Sequence, residues 1–162
     1  MQAGEADVQR VLARLDAGEV LDADEVRGAF AIDDAFAVGN LGIAWESFST
    51  ERVTAHLVLD ERHHQPYGIV HGGVWCSVVE TLASVAAWLR VASRGLVVVG
   101  VANSTDFLRA HRTGRVEAVA EPLHVGRTQQ LWQVVISRTD DGKAVARGQV
   151  RLQTVDPAAI RG

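Results

Sequence analysis

The sequence predicts an α+β fold: an antiparallel β-sheet wrapped around one long central helix, preceded by an N-terminal helical extension. Three observations carry that expectation. The stretch Val74–Leu89 is apolar on every face and holds a single acid, Glu80, so its helix belongs in a core. Runs of strand character lie on both sides of it, two before and about four after, which is not the alternation of a parallel βαβ sheet. The connections between those runs are short, so neighbouring strands are expected to pair antiparallel. The 162 residues, 48% hydrophobic and 22% charged, hold one domain of this kind and no second.

The elements follow in order. Residues 1–38 read as the helical extension. Val8, Val11, Leu12 and Leu15 recur at helical spacing. Asp22 or Asp24 can cap a second helix that turns Val26, Phe30 and Phe36 inward. Residues 39–156 form the body and 157–162 a short tail. In the body, Leu41–Ser49 and Arg52–Asp60 are strands joined by a tight turn at Thr50 and Glu51. Val53, Ala55, Leu57 and Leu59 alternate with Thr54 and His56, as a half-buried strand requires. Pro66 and Gly68 punctuate the next loop. The helix runs from His71-Gly72-Gly73 to a stop near Gly95. Four strands then follow, at Leu96–Leu108, Arg115–Glu121, Thr128–Thr139 and Ala144–Gln153, with a hairpin turn at Asp141-Gly142. In the last of them Ala146, Gly148, Val150 and Leu152 are expected inward and Val145 outward.

A net charge of −4 argues against a general nucleic-acid binder. The charge is divided unevenly. Residues 1–40 carry nine acids and three bases, whereas residues 41–162 carry eleven acids and thirteen bases. An anionic ligand is therefore sought in the body. Val74–Leu89 falls short of the roughly 20 apolar residues of a membrane span. The polar N-terminus has no signal-type apolar run, and Cys76 is the one cysteine. These features give the expectation of a cytoplasmic protein with no disulfide and no membrane or nucleic-acid partner.

Glu80 is the most informative side chain. A carboxylate buried without a partner has its pKa raised, which suits a general base or a nucleophile; a structural glutamate held in an interface is the alternative. His71-Gly72-Gly73 opens the same helix. Free N–H groups at a helix start can hold an oxyanion, and glycine lets a ligand approach the backbone. Gly72 and Glu80 are roughly 12 Å apart along one helix. Either they serve different purposes, or two chains pack antiparallel and each site takes one residue from each chain. Ser84 lies one turn beyond Glu80 and can hold a water or back-bond to the helix. Gln65 can donate to a carbonyl. His63, His64 and His71 lack the spacing and carboxylate partner of a zinc site, so no metal is expected.

The stretch Gln65-Pro66-Tyr67-Gly68-Ile69-Val70-His71-Gly72-Gly73, with Glu80 and Ser84 after it, resembles the motif of hotdog-fold acyl-CoA thioesterases. It is most similar to the PaaI-like and 4-hydroxybenzoyl-CoA thioesterase-like group that places a glutamate on the central helix. The resemblance spans about residues 40–155. It implies the hotdog fold, a dimer or dimer of dimers, and a site at the subunit interface. The Gly72 N–H would polarise the thioester carbonyl, with Gln65 and His71 beside it. Glu80 of the second copy would be the base or nucleophile, and Ser84 would hold the water. Gly73, Asn103, Ser104 and Arg109, and Gly126, Arg127 and Thr128, match segments that contact coenzyme A. No cofactor is implied, because coenzyme A belongs to the substrate. Ala110 departs from the proline of close relatives, and Gln65 stands where many have asparagine. The implied reaction is hydrolysis of an aromatic or medium-chain acyl-CoA to a carboxylate and free coenzyme A. A non-catalytic hotdog module that binds acyl-CoA is the alternative. A hydratase on the same fold would need a histidine–aspartate pair that His71-Gly72 does not supply.

Overall fold

The computed structural model describes residues 4–30, 32 and 35–160; the other positions of the expected extension and tail lie outside the described residues. Helix α1, Glu5–Asp16, buries Val11, Leu12 and Leu15. A two-residue strand β1, Leu21–Asp22, leads into helix α2, Ala23–Ala29. Asp22 caps α2 reciprocally: its carboxylate accepts the Glu25 N–H at 2.9 Å, and the Glu25 carboxylate accepts the Asp22 N–H at 3.2 Å. Arg14 of α1 donates to both Glu19 and Glu25, tying the two helices together. The hydrophobic faces of α1 and α2 join the same core as the body through Val11, Leu15 and Val26.

The body is one antiparallel sheet in the order β1-β2-β3-β5-β6-β7-β4. Its strands are β2 Ala44–Phe48, β3 Val53–Leu59, β4 Val97–Phe107, β5 Gly114–Val125, β6 Gln129–Arg138 and β7 Ala144–Val155. Helix α3, Gly72–Leu89, lies on the concave face. By length and apolarity α3 passes for a membrane span, but the sheet supplies its cover. Val78, Val79, Leu82, Ala83 and Ala86 meet inward residues of the alternating strands, such as Leu57, Ala118, Trp132, Val134 and Val150, all fully buried. Close approach depends on small residues. A Cβ at Gly148 would stand 2.6 Å from Val79 Cγ1 and 2.7 Å from Thr105 Oγ1.

Both ends of α3 are engaged by side chains, which answer part of the polar groups that a helix end leaves open. At the start, His71 Nδ1 accepts the Gly73 N–H at 2.8 Å. At the far end, the buried Gln130 donates to the Ala87 carbonyl at 3.1 Å and accepts from Trp132 Nε1 at 2.8 Å. Arg90 donates to the Thr50 carbonyl at 2.7 Å.

Three details differ from expectation. Phe36 is 54% exposed, because α2 stops at Ala29 and a separate π-helical turn, Ala35–Asn40, carries Phe36. Val145 is buried as fully as Ala146. A register shift opposite Ile136 and Ser137 breaks the strict alternation there. Strand β5 continues through Pro122 to Val125. Its pairing with β3 ends at Ala120, so the proline, which lacks an N–H, sits where only β6 remains as a neighbour. Replacing Gly148 by alanine is expected to force α3 off the sheet and cost about 1–3 kcal/mol; urea denaturation of the G148A variant against wild type measures it.

Candidate active site

The first half of the site surrounds the start of α3. The chain approaches it through a short 3₁₀ turn, Glu61–His63, and a loop held by backbone hydrogen bonds. Gly68 N–H donates to the Gln65 carbonyl, Gln65 N–H to Ile69, and Val70 N–H to His111. The histidines of this loop are occupied by the backbone. His63 Nε2 lies 3.2 Å from the Leu41 carbonyl, and His64 Nε2 lies 2.7 Å from the Arg112 carbonyl. At the helix start, His71 takes the Gly73 N–H on its ring and the Val74 N–H on its carbonyl. Among the described residues nothing accepts the Gly72 N–H, so one donor remains at the positive end of the helix dipole. The Phe107 ring covers Gly72 so closely that any Cβ there would lie 2.7 Å from its edge. A cavity of about 330 Å³ opens at this point, lined by Gln65, Gly72, Trp75, Phe107, Arg109 and His111 among others.

The second half centres on Glu80, which is half-buried and has partners. The expectation of an unpartnered buried carboxylate is corrected on both counts. Asn103 Nδ2 donates to Glu80 Oε2 at 2.9 Å and to the Cys76 carbonyl at 3.1 Å. Thr105 Oγ1 donates to Asn103 Oδ1 at 2.7 Å, which fixes the amide with its nitrogen toward Glu80. The other carboxylate oxygen faces Ser84 Oγ at 3.5 Å and the backbone of Gly100, where an added Cβ would collide with it. An apolar pocket of about 320 Å³ begins at Ser84 and continues along Val85, Trp88, Val97 and Val98.

Asn103, expected at the coenzyme, is thus engaged with Glu80, while Ser104 beside it is exposed. The contribution of Asn103, Thr105 and Gly100 to Glu80 was not legible from the sequence. The sequence marks residues 96–108 as a strand and, by resemblance, Asn103 and Ser104 as coenzyme contacts, but which face meets α3 depends on the register shift between Gly100 and Ala102.

The two halves do not meet within one chain. Glu80 is absent from the lining of the first cavity, and Gly72 from that of the second. The expected coenzyme contacts are also divided. Arg109 lies past the end of β4 and donates to the Ala144 carbonyl at 2.7 Å. Gly126, Arg127 and Thr128 form the β5–β6 turn, whose Thr128 carbonyl accepts from Thr154, opposite Val98. From Val98 to Phe107 the strand extends about 30 Å, so the two arginines mark opposite ends of the molecule. Two surfaces are left open between them. Strand β4 is the last in the sheet, and Gly100–Ser104 is exposed along it. On α3, Ser77, Glu80, Thr81, Ser84, Val85 and Trp88 form a stripe of one helical face that stays only half-buried.

A model of the thioesterase superfamily matches residues 67–145, which hold Gly72, Glu80, Ser84 and Asn103. Rv1847 of Mycobacterium tuberculosis, which bears the name of an esterase, is 46% identical over 118 residues, covering 72% of this chain and 84% of that one. The proofreading thioesterase EntH of Cronobacter sakazakii is 39% identical over 99 residues, 61% of this chain and 72% of that one. Among solved structures, thioesterase HI1161 of Haemophilus influenzae superposes with a TM-score of 0.71 at 32% identity, covering 78% of this chain and 87% of that one.

His111 is a further residue that the motif did not single out. It is buried in the wall of the first cavity, near Trp75, and its Nε2 has no hydrogen-bond partner. Burial pushes its pKa below the usual histidine value, against a backbone hydrogen bond to Gly114 that acts the other way. The unfolded chain therefore binds a proton at higher pH than the folded one. Stability is fully present above about pH 6.5 and falls as the pH drops from there toward the folded pKa. Urea midpoints measured from pH 7.5 to pH 5 should decline less steeply in a His111→Val variant than in wild type.

Proposed function

The chain belongs to the thioesterase superfamily and is a thioester hydrolase, and from that premise we propose that it hydrolyses acyl-coenzyme A thioesters in sites that two copies of the chain build together. The observation that carries this reading is the division of the site. A free N–H at Gly72 and a positioned carboxylate at Glu80 stand roughly 12 Å apart on one helix, and a half-covered helix stripe and an unpaired strand edge lie open between them. Two copies joined along β4 by a two-fold axis lay their α3 helices antiparallel. Gly72 of one copy then faces Glu80 of the other, and the operation repeats to give two sites. The same operation brings the end that carries Arg109 alongside the partner end that carries Arg127. Arginine forks suit the phosphates of coenzyme A.

The chemistry follows from the groups. The Gly72 N–H, aided by Gln65, donates a hydrogen bond to the thioester oxygen as negative charge grows on it. Asn103 holds one oxygen of Glu80 and leaves the other toward Ser84 and the substrate. That oxygen takes the proton of a water held by Ser84, or attacks the carbonyl carbon itself. In either course the carbon–sulfur bond breaks, the thiolate of coenzyme A leaves and takes up a proton, and the carboxylate product remains after water has supplied its second oxygen. The apolar pocket that begins at Ser84 receives the acyl group, aromatic or medium-chain in size.

Thiol release from a panel of acyl-CoA thioesters tests the catalytic assignment. Glu80→Gln is expected to lower kcat by about 10²- to 10⁴-fold; retention of full activity would remove Glu80 from the mechanism. The shared site has its own test. Glu80→Gln and Gly72→Val are each expected to be inactive alone, and co-refolding them in equal amounts should restore about a quarter of wild-type activity, from one intact site in each mixed dimer. No recovery in confirmed mixed dimers would place both residues in one chain's site.

A further inference from the structure

We propose that the N-terminal helical extension sets the length of acyl group the enzyme accepts, acting through Phe30 on Trp88. The proposal rests on the reading that the acyl group enters the pocket beside Ser84.

Glu80, Ser84 and Trp88 follow one another at helical spacing on the half-covered face of α3. A carbonyl held at Glu80 directs its acyl chain past Ser84 and Val85 toward the indole of Trp88. The path from Glu80 to Trp88 is roughly 12 Å along the helix axis. Trp88 is therefore the end wall, and Val97 and Val98 of β4 form the side. Neither wall stands by itself. The Phe30 ring meets the Trp88 ring edge to face, with centroids 4.9 Å apart and an interplanar angle of 88°. An indole held in this way cannot swing aside to lengthen the pocket.

Phe30 is in turn fixed by the extension. It terminates α2, with its N–H bonded to the Val26 carbonyl at 2.8 Å. The reciprocal cap at Asp22 and Glu25 fixes the start of α2, and Arg14 of α1 holds α2 by donating to Glu25. Helix α1 also packs against the turn Ala92–Arg94, which leads into β4 at Val97. The two apolar walls thus share one support, and it lies outside the matched span of the family. Phe30 does not line the pocket; it acts through Trp88 and is a positioning residue.

S-alkyl coenzyme A thioethers of increasing chain length test this by calorimetry, because they bind without turnover. In wild type each added methylene should tighten binding about fourfold until the pocket is full, after which affinity levels off or falls. In Phe30→Ala the levelling point is expected to move out by two or more carbons, with Phe30→Leu between the two. The levelling point is independent of the fraction of protein that is folded, so a loss of stability alone does not shift it. An identical levelling point in both variants, or no dependence on chain length in wild type, would overturn the proposal. Thiol release by the same wild-type preparation separates the two readings. Turnover with an unmoved levelling point sinks only the role of Phe30. A moved levelling point without turnover of any acyl-CoA sinks only the hydrolytic assignment on that substrate class.

Discussion

One physical constraint governs this fold: a helix enclosed by a single sheet needs neighbours for the backbone groups at its ends and for its one acid, and here the Gly72 N–H is left open. The apolar length of α3 supplies the drive to bury it. Its ends and Glu80 decide how that burial is arranged. His71 answers the start, Gln130 and Trp132 answer the far end from inside the sheet, and Asn103 answers Glu80 from β4. Each of these comes from a different part of the chain. The register of β4 and β6 against α3 is therefore fixed by hydrogen bonds as well as by packing. Gly100 and Gly148 are small because the helix groups they face, Glu80 and Val79, come too close for a side chain.

Much of this was legible from the sequence, and what was not has identifiable causes. The helix stood out because the predominantly apolar Val74–Leu89 has one acid, and β3 because Val53, Ala55, Leu57 and Leu59 alternate with Thr54 and His56. The sequence signal failed where the period is interrupted. Val145 turned inward through a register shift, and Phe36 turned outward because α2 ended about two turns earlier than its apolar residues suggested. Asn103 is a case of another kind. A polar residue in a strand has no sequence mark that tells a ligand contact from a hydrogen bond to a distant glutamate. The separation of Gly72 and Glu80, by contrast, followed from helix geometry before any coordinates. It is also the feature that gives the two open surfaces a purpose.

The electrostatic layout fits the same division. Glu19, Asp22 and Glu25 of the extension are engaged in its own construction, at the Asp22–Glu25 cap and the Arg14 fork. Several arginines of the body are tied down as well: Arg112 to the Gly68 carbonyl, Arg115 to Glu46 and Arg138 to Asp141. The positive excess of the body is thus largely structural.

The strand order has a consequence for how the chain reaches its native state. Strand β4 follows directly on α3 in sequence, yet its neighbour in the sheet is β7, the last strand to be made. During synthesis α3 and β4 emerge with half of their sheet still untranslated, and a strand whose partner is far along the chain pairs late. Until β7 arrives, Val97, Val98, Val99 and Val101 present an unpaired, β-branched segment with neither edge occupied. Such a segment is prone to pair with another chain. The edge on which we propose that two copies meet is also the one most exposed to premature association, so the yield of active protein should depend on how quickly β5, β6 and β7 follow β4 off the ribosome.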